Sequence, residues 1–289
     1  MSHLYKYVTP DTCFKIIENC TLRWSAPPTL NDPFDMQFAF QLRIDRQAVR
    51  AMARDKLWQH YSGELLDKPL NKLGHVIRLL RDKVPGMSRD EFRQEFGDSD
   101  DESIDVLEKN IARYSKEFFS QFANDKILCL SELPDSIPMW AYYAHNHAGM
   151  VLRFTDETPN NPLTQARRVR YVEQMPSLFD DEMLSDELAG YNRMTPKRIV
   201  DEIVWTKSRH WAHEREWRVF AGRGRGDFPY EDVPFNPIEL DGVIFGMRTT
   251  EGNQTALANL VRGRYPHVEL LRARARSDVY ELAIERAEY

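Results

Sequence analysis

The chain has 289 residues, 42% of them hydrophobic and 29% charged, which is enough apolar material for a core and excludes a disordered protein. Its apolar runs are far shorter than the roughly 20 residues that cross a bilayer, and its first residues lack the apolar stretch of a signal peptide. The net charge of -6 argues against nucleic-acid binding driven by the overall charge of the protein. We therefore expect a cytoplasmic protein that has no membrane partner.

Cysteine and histidine spacing argues against a metal site. The three cysteines form no CxxC pair and are typical of reduced thiols. Two histidine pairs, His145 with His147 and His210 with His213, could each supply ligands, but neither matches a zinc signature and no cysteine lies nearby. The sequence predicts a protein without a bound metal.

The N-terminal segment predicts a strand, a helix, a second strand and a structured loop. Residues 4–8 are aromatic and β-branched, as strands favour, and residues 21–25 are similar. Between them, the Thr9 side chain can cap the start of a helix. Pro10 suits the first position of that helix, where its missing N–H costs nothing. Prolines, Asn31 and Asp32 then predict an ordered loop.

Hydrophobic periodicity divides the remaining chain. Residues 45–122 carry apolar side chains at helical spacing and predict a helical insertion. A helix is predicted over residues 139–147 and another from Thr195. Further strands are predicted at residues 127–131, 150–154, 169–172, 216–220, 238–245, 268–276 and 279–285. Strands at both ends with helices between them indicate one α+β domain over residues 1–289, with a mostly antiparallel sheet and the insertion within it.

The first of four clusters that could carry chemistry begins at Ser25 and Pro27 and continues through residues 31–35. Asn31 and Asp32 can bond the local backbone and lock a tight loop, in which we expect Phe34 to be buried. Such a loop could present backbone N–H groups to a ligand. The alternative is a rigid turn beneath the sheet.

Residues 139–149 form the second cluster. On a helix, Trp140, Tyr143 and His147 would share one face and could line a pocket at a helix-to-strand junction. The alternative is a core-facing surface with a hydrogen-bonded histidine.

The third cluster pairs two carboxylates with an arginine. On a strand, Glu214, Glu216 and Arg218 would point to one face, while Trp217 points to the other. Carboxylates placed in this way can position hydroxyl groups and stabilise a cationic transition state. The alternative is a salt-bridged solvent face.

The fourth cluster is a stripe of arginines, Arg272, Arg274 and Arg276, which could reach a phosphate or could protect a sheet edge from aggregation. The glycine–arginine run at residues 222–226 lacks the Lys-Ser/Thr ending of a P-loop and predicts a flexible basic loop.

Together these motifs resemble the bacterial family named domain of unknown function 2971. The matching pieces span most of the chain outside the helical insertion: residues 4–7, 25–35, 128–131, 139–149, 207–218 and 244–246. The resemblance groups the chain with that family and implies no particular reaction.

The order of strands, helix and loop, with a late Glu-x-Glu strand, also resembles the ADP-ribosyltransferase superfamily, whose members hold NAD in a cleft of a split sheet. This resemblance implies that Glu216 is the catalytic glutamate, Glu214 the acceptor-side glutamate and Ser25 the second-strand serine. The Arg or His of the first strand in that superfamily has no counterpart here, since Tyr5 and Lys6 stand in its place.

The implied function is cleavage of NAD, bound as a nucleotide substrate, with transfer of ADP-ribose to a protein or nucleic-acid acceptor. Together with the clusters described above, this predicts that the nucleotide contacts Tyr5, Lys6, Ser25, Asn31, Asp32, Trp140, Tyr143 and His147. One alternative is a non-catalytic nucleotide-binding or sensor module of a bacterial defence or toxin-type system. The other is a hydrolase or nuclease that uses Glu214, Glu216 and nearby histidines.

Overall fold

The structure is a computed structural model, which describes residues 3–287 except 38, 39, 41, 65–69, 97–99, 156, 157, 159, 178 and 194. The side chains of residues 100–103 are not described. The chain divides into two compact units. One combines Met1–Gln37, Gln121–Gln174 and Val204–Tyr289, and the other combines Phe38–Ser120 and Met175–Ile203. The assignment of the whole chain to one domain stays a prediction.

The described elements, in chain order, are mixed helices and strands. The helices are α1 (Pro10–Asn19), α2 (Arg46–Ser62), α3 (Lys72–Lys83), α4 (Arg89–Phe96), α5 (Asp100–Phe122), α6 (Ile137–Tyr143), α7 (Asp181–Leu188), α8 (Pro196–Val204) and α9 (Glu251–Arg264). The strands are β1 (His3–Val8), β2 (Thr21–Ser25), β3 (Asp125–Ser131), β4 (Met150–Thr155), β5 (Arg167–Arg168), β6 (Arg170–Val172), β7 (Thr206–Ser208), β8 (Glu216–Arg223), β9 (Tyr230–Pro234), β10 (Leu240–Phe245), β11 (Glu269–Ala275) and β12 (Leu282–Arg286).

Local chemistry explains the N-terminal elements, which agree with the prediction. The Thr9 side chain accepts a hydrogen bond from the Thr12 N–H, and Pro10 opens α1. The helix ends at Cys20, whose left-handed backbone (φ 53°) turns the chain into β2. His3 is the first residue of β1, paired with Thr155 of β4.

The main sheet is mostly antiparallel, as predicted. Its strands follow the order β12-β11-β10-β4-β1-β3-β2-β9, with β8 paired to β3 and β5 paired to β8. The pair β10–β11 is parallel, because α9 connects the two strands as a crossover. Strands β6 and β7 form a separate parallel pair.

The sheet forks at β3. Strand β8 pairs with β3 along its length, from Asp125 to Ser131, so β1 and β2 share the opposite edge. Among the described residues, β1 meets this edge at Ser131 and β2 meets it at Ile127. The edge between these two points is therefore left open by the strand ladder, and a cavity lies there.

One face of the sheet is closed by an apolar core. Helices α1 and α9 cover it with Ile17 and Val261, which have no exposed surface, and Phe154 and Phe245 of the sheet pack in the same cluster. Burial of apolar surface of this kind is the main force that holds the sheet and its helices together. The charged lining of the candidate site comes from other positions, among them Lys6 of β1, Lys207 of β7 and Glu216 of β8.

The second unit is helical. Its helices α2–α5 and α7 pack around small clusters, one of which contains Leu57, Tyr61, Ile77 and Phe92. Residues 65–69 and 97–99 of the predicted insertion lie outside the described residues.

Candidate functional site

A cavity of about 300 Å³ lies in the fork between β1 and β2. It is lined by most of the sequence-predicted site residues: Tyr5, Lys6, Ser25, Asn31, Tyr143, Glu214 and Glu216. Asp32, Trp140 and His147 do not line it. The tertiary fold thus brings together residues that lie more than 200 positions apart in the sequence.

Glu216 begins β8 and is buried in an ion-pair network. Its Oε1 accepts a hydrogen bond from Arg218 Nε at 2.8 Å, and its Oε2 accepts from Arg218 Nη2 at 2.9 Å and from Lys207 Nζ at 3.1 Å. Burial by itself would raise the pKa of Glu216, but the charges of Arg218 and Lys207 outweigh burial and hold that pKa well below its ordinary value. Glu216 is therefore ionised at neutral pH.

Glu214 reaches the same ammonium by a different route. It ends a 3₁₀ turn (Arg209–Glu214), so the prediction that Glu214, Glu216 and Arg218 share one strand face is wrong for Glu214. Arg215 adopts a left-handed backbone (φ 47°) between the turn and β8. That bend, rather than period-two alternation, brings the Glu214 carboxylate to Lys207, whose Nζ donates to Glu214 Oε2 at 2.5 Å.

The pKa of Glu214 is shifted in the opposite direction. Burial raises it, and the nearby charge of Glu216 raises it further, while Lys207 opposes both. Its Oε1 accepts a hydrogen bond from the Tyr143 hydroxyl at 2.5 Å, and Asn31 Nδ2 donates to the Tyr143 oxygen at 3.0 Å. Two neighbouring carboxyl groups with divergent pKa values are typical of acid–base sites.

Asp35 completes the network and was not among the predicted site residues. Arg218 donates to both of its carboxylate oxygens, at 3.0 and 2.6 Å, and Lys207 Nζ lies 3.4 Å from Asp35 Oδ2. Asp35 and Lys207 both stand in motifs that the sequence analysis had singled out. Their spacing alone gave no indication that they would meet, since pairing across 172 positions depends on the fold.

Lys6 spans the open edge of β3. Its Nζ donates to the Cys129 carbonyl oxygen at 2.7 Å, at a position that the strand ladder leaves unpaired on this side. Burial of the ammonium lowers the pKa of Lys6. Since an ammonium has three donors, Lys6 can bind a further acceptor in the cavity.

The loop that carries Asn31 is built as predicted in one respect and differs in another. Asp32 is buried, and its Oδ1 accepts a hydrogen bond from the Phe34 N–H at 2.9 Å, which closes the tight turn. The expectation that Phe34 is buried is wrong, because its side chain is 61% exposed. The turn therefore depends on the Asp32 carboxylate and gains little from the phenylalanine.

The helix predicted over residues 139–147 is shorter than expected. Helix α6 ends at Tyr143, and His145, Asn146 and His147 follow with left-handed backbones. Trp140, Tyr143 and His147 therefore do not share a helix face. Trp140 is fully buried, with its ring centroid 5.5 Å from that of Tyr7, and the His147 ring stacks on it with the centroids 6.2 Å apart.

The histidines and the arginine stripe lie outside the cavity. Neither His210 nor His213 lines it, and in the described part of the chain no group of three His, Cys, Asp or Glu side chains could hold a metal ion. Arg274 pairs with Glu285, and Arg276 pairs with Asp278. Strand β11 is paired with β10 on one side and with β12 on the other, so Arg272 and Arg274 do not lie on a sheet edge and the edge-protection alternative is wrong for them.

One protein-family model matches the central part of the chain. The model of the family described as protein of unknown function (DUF2971) matches residues 139–219, a segment that contains Tyr143, Lys207, Glu214 and Glu216. No curated protein and no solved structure matches the chain. No helix in the described part of the chain is both long and apolar enough to cross a membrane.

Proposed function

We propose that the cavity binds the nicotinamide riboside end of NAD and that the protein cleaves the bond between nicotinamide and ribose, in the manner of an ADP-ribosyltransferase. The observation that carries this proposal is the convergence of Lys6, Ser25, Glu214 and Glu216 on one cavity in the fork of the sheet. The cavity of about 300 Å³ is at the small end of ligand sites, which suits one half of a dinucleotide better than the whole.

Glu216 would stabilise the charge that develops on the sugar. As the C1′–N bond breaks, its electron pair leaves with nicotinamide, which becomes neutral, and positive charge develops on the ribose. An ionised carboxylate beside that ribose favours the transition state more than the ground state. The low pKa of Glu216 keeps it in the required ionised form.

Glu214 would serve the acceptor. Its raised pKa makes it the better base of the pair. As an acceptor hydroxyl or amine forms a bond to C1′, Glu214 takes the proton that the acceptor loses. The acceptor is a protein or a nucleic acid in this proposal, and water in its place gives free ADP-ribose.

Nicotinamide release from NAD tests the proposal. Purified wild type should release nicotinamide, and Glu216→Gln, which keeps the shape and removes the charge, should lower the rate on the order of 100-fold or more. Glu214→Gln should reduce transfer to an acceptor in cell extract more than it reduces NAD cleavage. A wild type that neither releases nicotinamide nor binds NAD in calorimetry would refute the proposal.

One observation favours a second candidate, a non-catalytic nucleotide-binding module. Both oxygens of Glu216 already accept hydrogen bonds from Arg218, and Lys207 adds a third bond. A carboxylate neutralised in this way can fix the shape of a binding site without taking part in a reaction. NAD binding by wild type without nicotinamide release would select this candidate.

A further inference from the structure

A second cavity, of about 660 Å³, lies in the same unit and shares no lining residue with the first. Strand β2 contributes to both, because Ser25 lines the first cavity and its neighbour Trp24 lines the second. The floor of the second cavity is apolar and is formed by Trp24, Val219 and Val233. Its wall is formed by the segment between β8 and β9, which contains the basic loop at residues 222–226.

Lys126 of β3 also lines the second cavity, and its surroundings are unusual for a lysine. Its side chain is nearly buried, with the residue 2% exposed, and its Nζ donates to the Asn124 carbonyl oxygen at 2.7 Å. Among the described residues, the ammonium has no other hydrogen bond and no ion pair within 4 Å, and the Asp125 carboxylate of the same strand interacts with it only through its charge. A buried cation with two unused donors is unfavourable unless an anion compensates it.

Two arginines add positive charge beside Lys126. Arg223 and Arg225 line the same cavity, and Arg223 is paired with an exposed aspartate, Asp227, at 3.5 Å. Among the lining residues that the structure describes, Glu231 is the acidic one, and its Oε1 accepts a hydrogen bond from the Arg225 backbone N–H. The charged side chains of this described lining comprise three cations and one carboxylate.

The geometry points to a binding site for a phosphoryl group in this second cavity, held by Lys126, Arg223 and Arg225. Phosphate oxygens accept several charge-assisted hydrogen bonds at once, and guanidinium groups match their geometry. The Lys126 ammonium would place its two unused donors on the anion. Glu231 would oppose the anion by charge while it holds the loop through its bond to the Arg225 N–H.

Calorimetric titration with pyrophosphate, in phosphate-free buffer at about 0.15 M salt, tests this site under physiological screening. Wild type should bind at one site. Lys126→Met and Arg225→Gln should each weaken binding by about tenfold or more, which is the usual size of a lost hydrogen bond to a charged group. Glu231→Gln keeps the acceptor for the Arg225 N–H and removes the charge, so it should bind more tightly.

Two lysine variants serve as controls. Lys15 is exposed on α1, and Lys15→Met should bind pyrophosphate as wild type does. Lys6→Met alters the first cavity and should also leave this binding unchanged. Titration with inorganic phosphate and with ribose 5-phosphate then distinguishes the source, since tighter binding of the sugar phosphate indicates an organic ligand and equal binding indicates free phosphate.

The result that overturns the proposal is absence of pyrophosphate binding by wild type, or equal binding by wild type, Lys126→Met and Arg225→Gln. If Lys126→Met does not fold, the exposed Arg225→Gln and the charge variant Glu231→Gln decide the question by themselves. Loss of binding in Lys6→Met, with Lys126→Met unaffected, would place the anion in the first cavity and refute the second site.

Discussion

Arg218 donates two hydrogen bonds to the Asp35 carboxylate, of 3.0 and 2.6 Å, although the two residues lie 183 positions apart in the chain. Both side chains are buried, and the pair joins the loop after β2 to strand β8. Because that loop also carries Asn31, the pair fixes one wall of the cavity relative to Glu216.

Breaking this pair should be costly. Asp35→Asn leaves the buried Arg218 without half of its compensating charge, so we expect the free energy of unfolding in urea to fall by about 3 kcal/mol. The matched control is Asp232→Asn, which breaks a surface pair between Arg23 and Asp232, both about half exposed. That change should cost less than about 1 kcal/mol. Equal losses in the two variants would show that burial of the Asp35 pair adds nothing.

The turn at Asp32 offers a second test. Asp32→Ala removes the acceptor for the Phe34 N–H and should lower the free energy of unfolding by about 1–2 kcal/mol. Phe34→Ala should change it by less than about 0.5 kcal/mol, because the ring is 61% exposed. Thermal or urea unfolding of the two variants checks the order. A larger loss for Phe34→Ala would contradict the assignment of the turn to Asp32.

Gly149 lies just after the left-handed segment that follows α6, at a position that leaves no room for a side chain. A Cβ at this position would lie 2.2 Å from the Val8 carbonyl oxygen and 2.9 Å from Ala144 backbone atoms, so Gly149→Ala forces backbone to move. We expect a loss of about 3 kcal/mol or more in the free energy of unfolding. Gly252→Ala, at the second residue of α9, meets nothing within 4 Å and should change the free energy of unfolding by less than about 0.5 kcal/mol. A neutral Gly149→Ala would show that the close approach to β1 is dispensable.

Glu216 should make the protein sensitive to acid. Its pKa in the folded protein lies below the ordinary value of 4.5, so its stabilising contribution is complete above pH 4.5 and is lost as pH falls through the folded pKa. Urea unfolding between pH 7 and pH 3 should therefore show a smaller acid-induced loss of stability in Glu216→Gln than in wild type. Parallel pH profiles would contradict the lowered pKa.

Glu214 should have the opposite pH dependence. Its folded pKa is raised above 4.5, so its contribution is fully present below pH 4.5 and is lost as pH rises through the folded pKa. Glu214→Gln should therefore lose less stability than wild type as pH rises above 4.5. The same urea series measures this, and a steeper loss in the variant would contradict the raised pKa.

Local interactions were sufficient to predict many elements. Thr9 and Pro10 start α1 through a cap and a fixed φ angle, and the alternating apolar pattern of residues 216–220 identifies part of β8. These signals act between residues that are close in the chain. The motif at residues 139–149 was also recognisable from sequence, although its helix ends sooner than its apolar spacing indicates.

The tertiary structure alone decided how the site is assembled. Asp35, Lys207 and Arg218 meet because β8 and the loop after β2 converge beside β3, and ion pairing across such distances leaves no periodic signal in the chain. The left-handed Arg215 likewise sets the direction of Glu214, which period-two alternation had assigned to a strand. Sequence therefore determined which residues carry charge and where most strands run, whereas packing determined which charges face one another and how their pKa values diverge, because desolvation and Coulomb interactions depend on three-dimensional proximity.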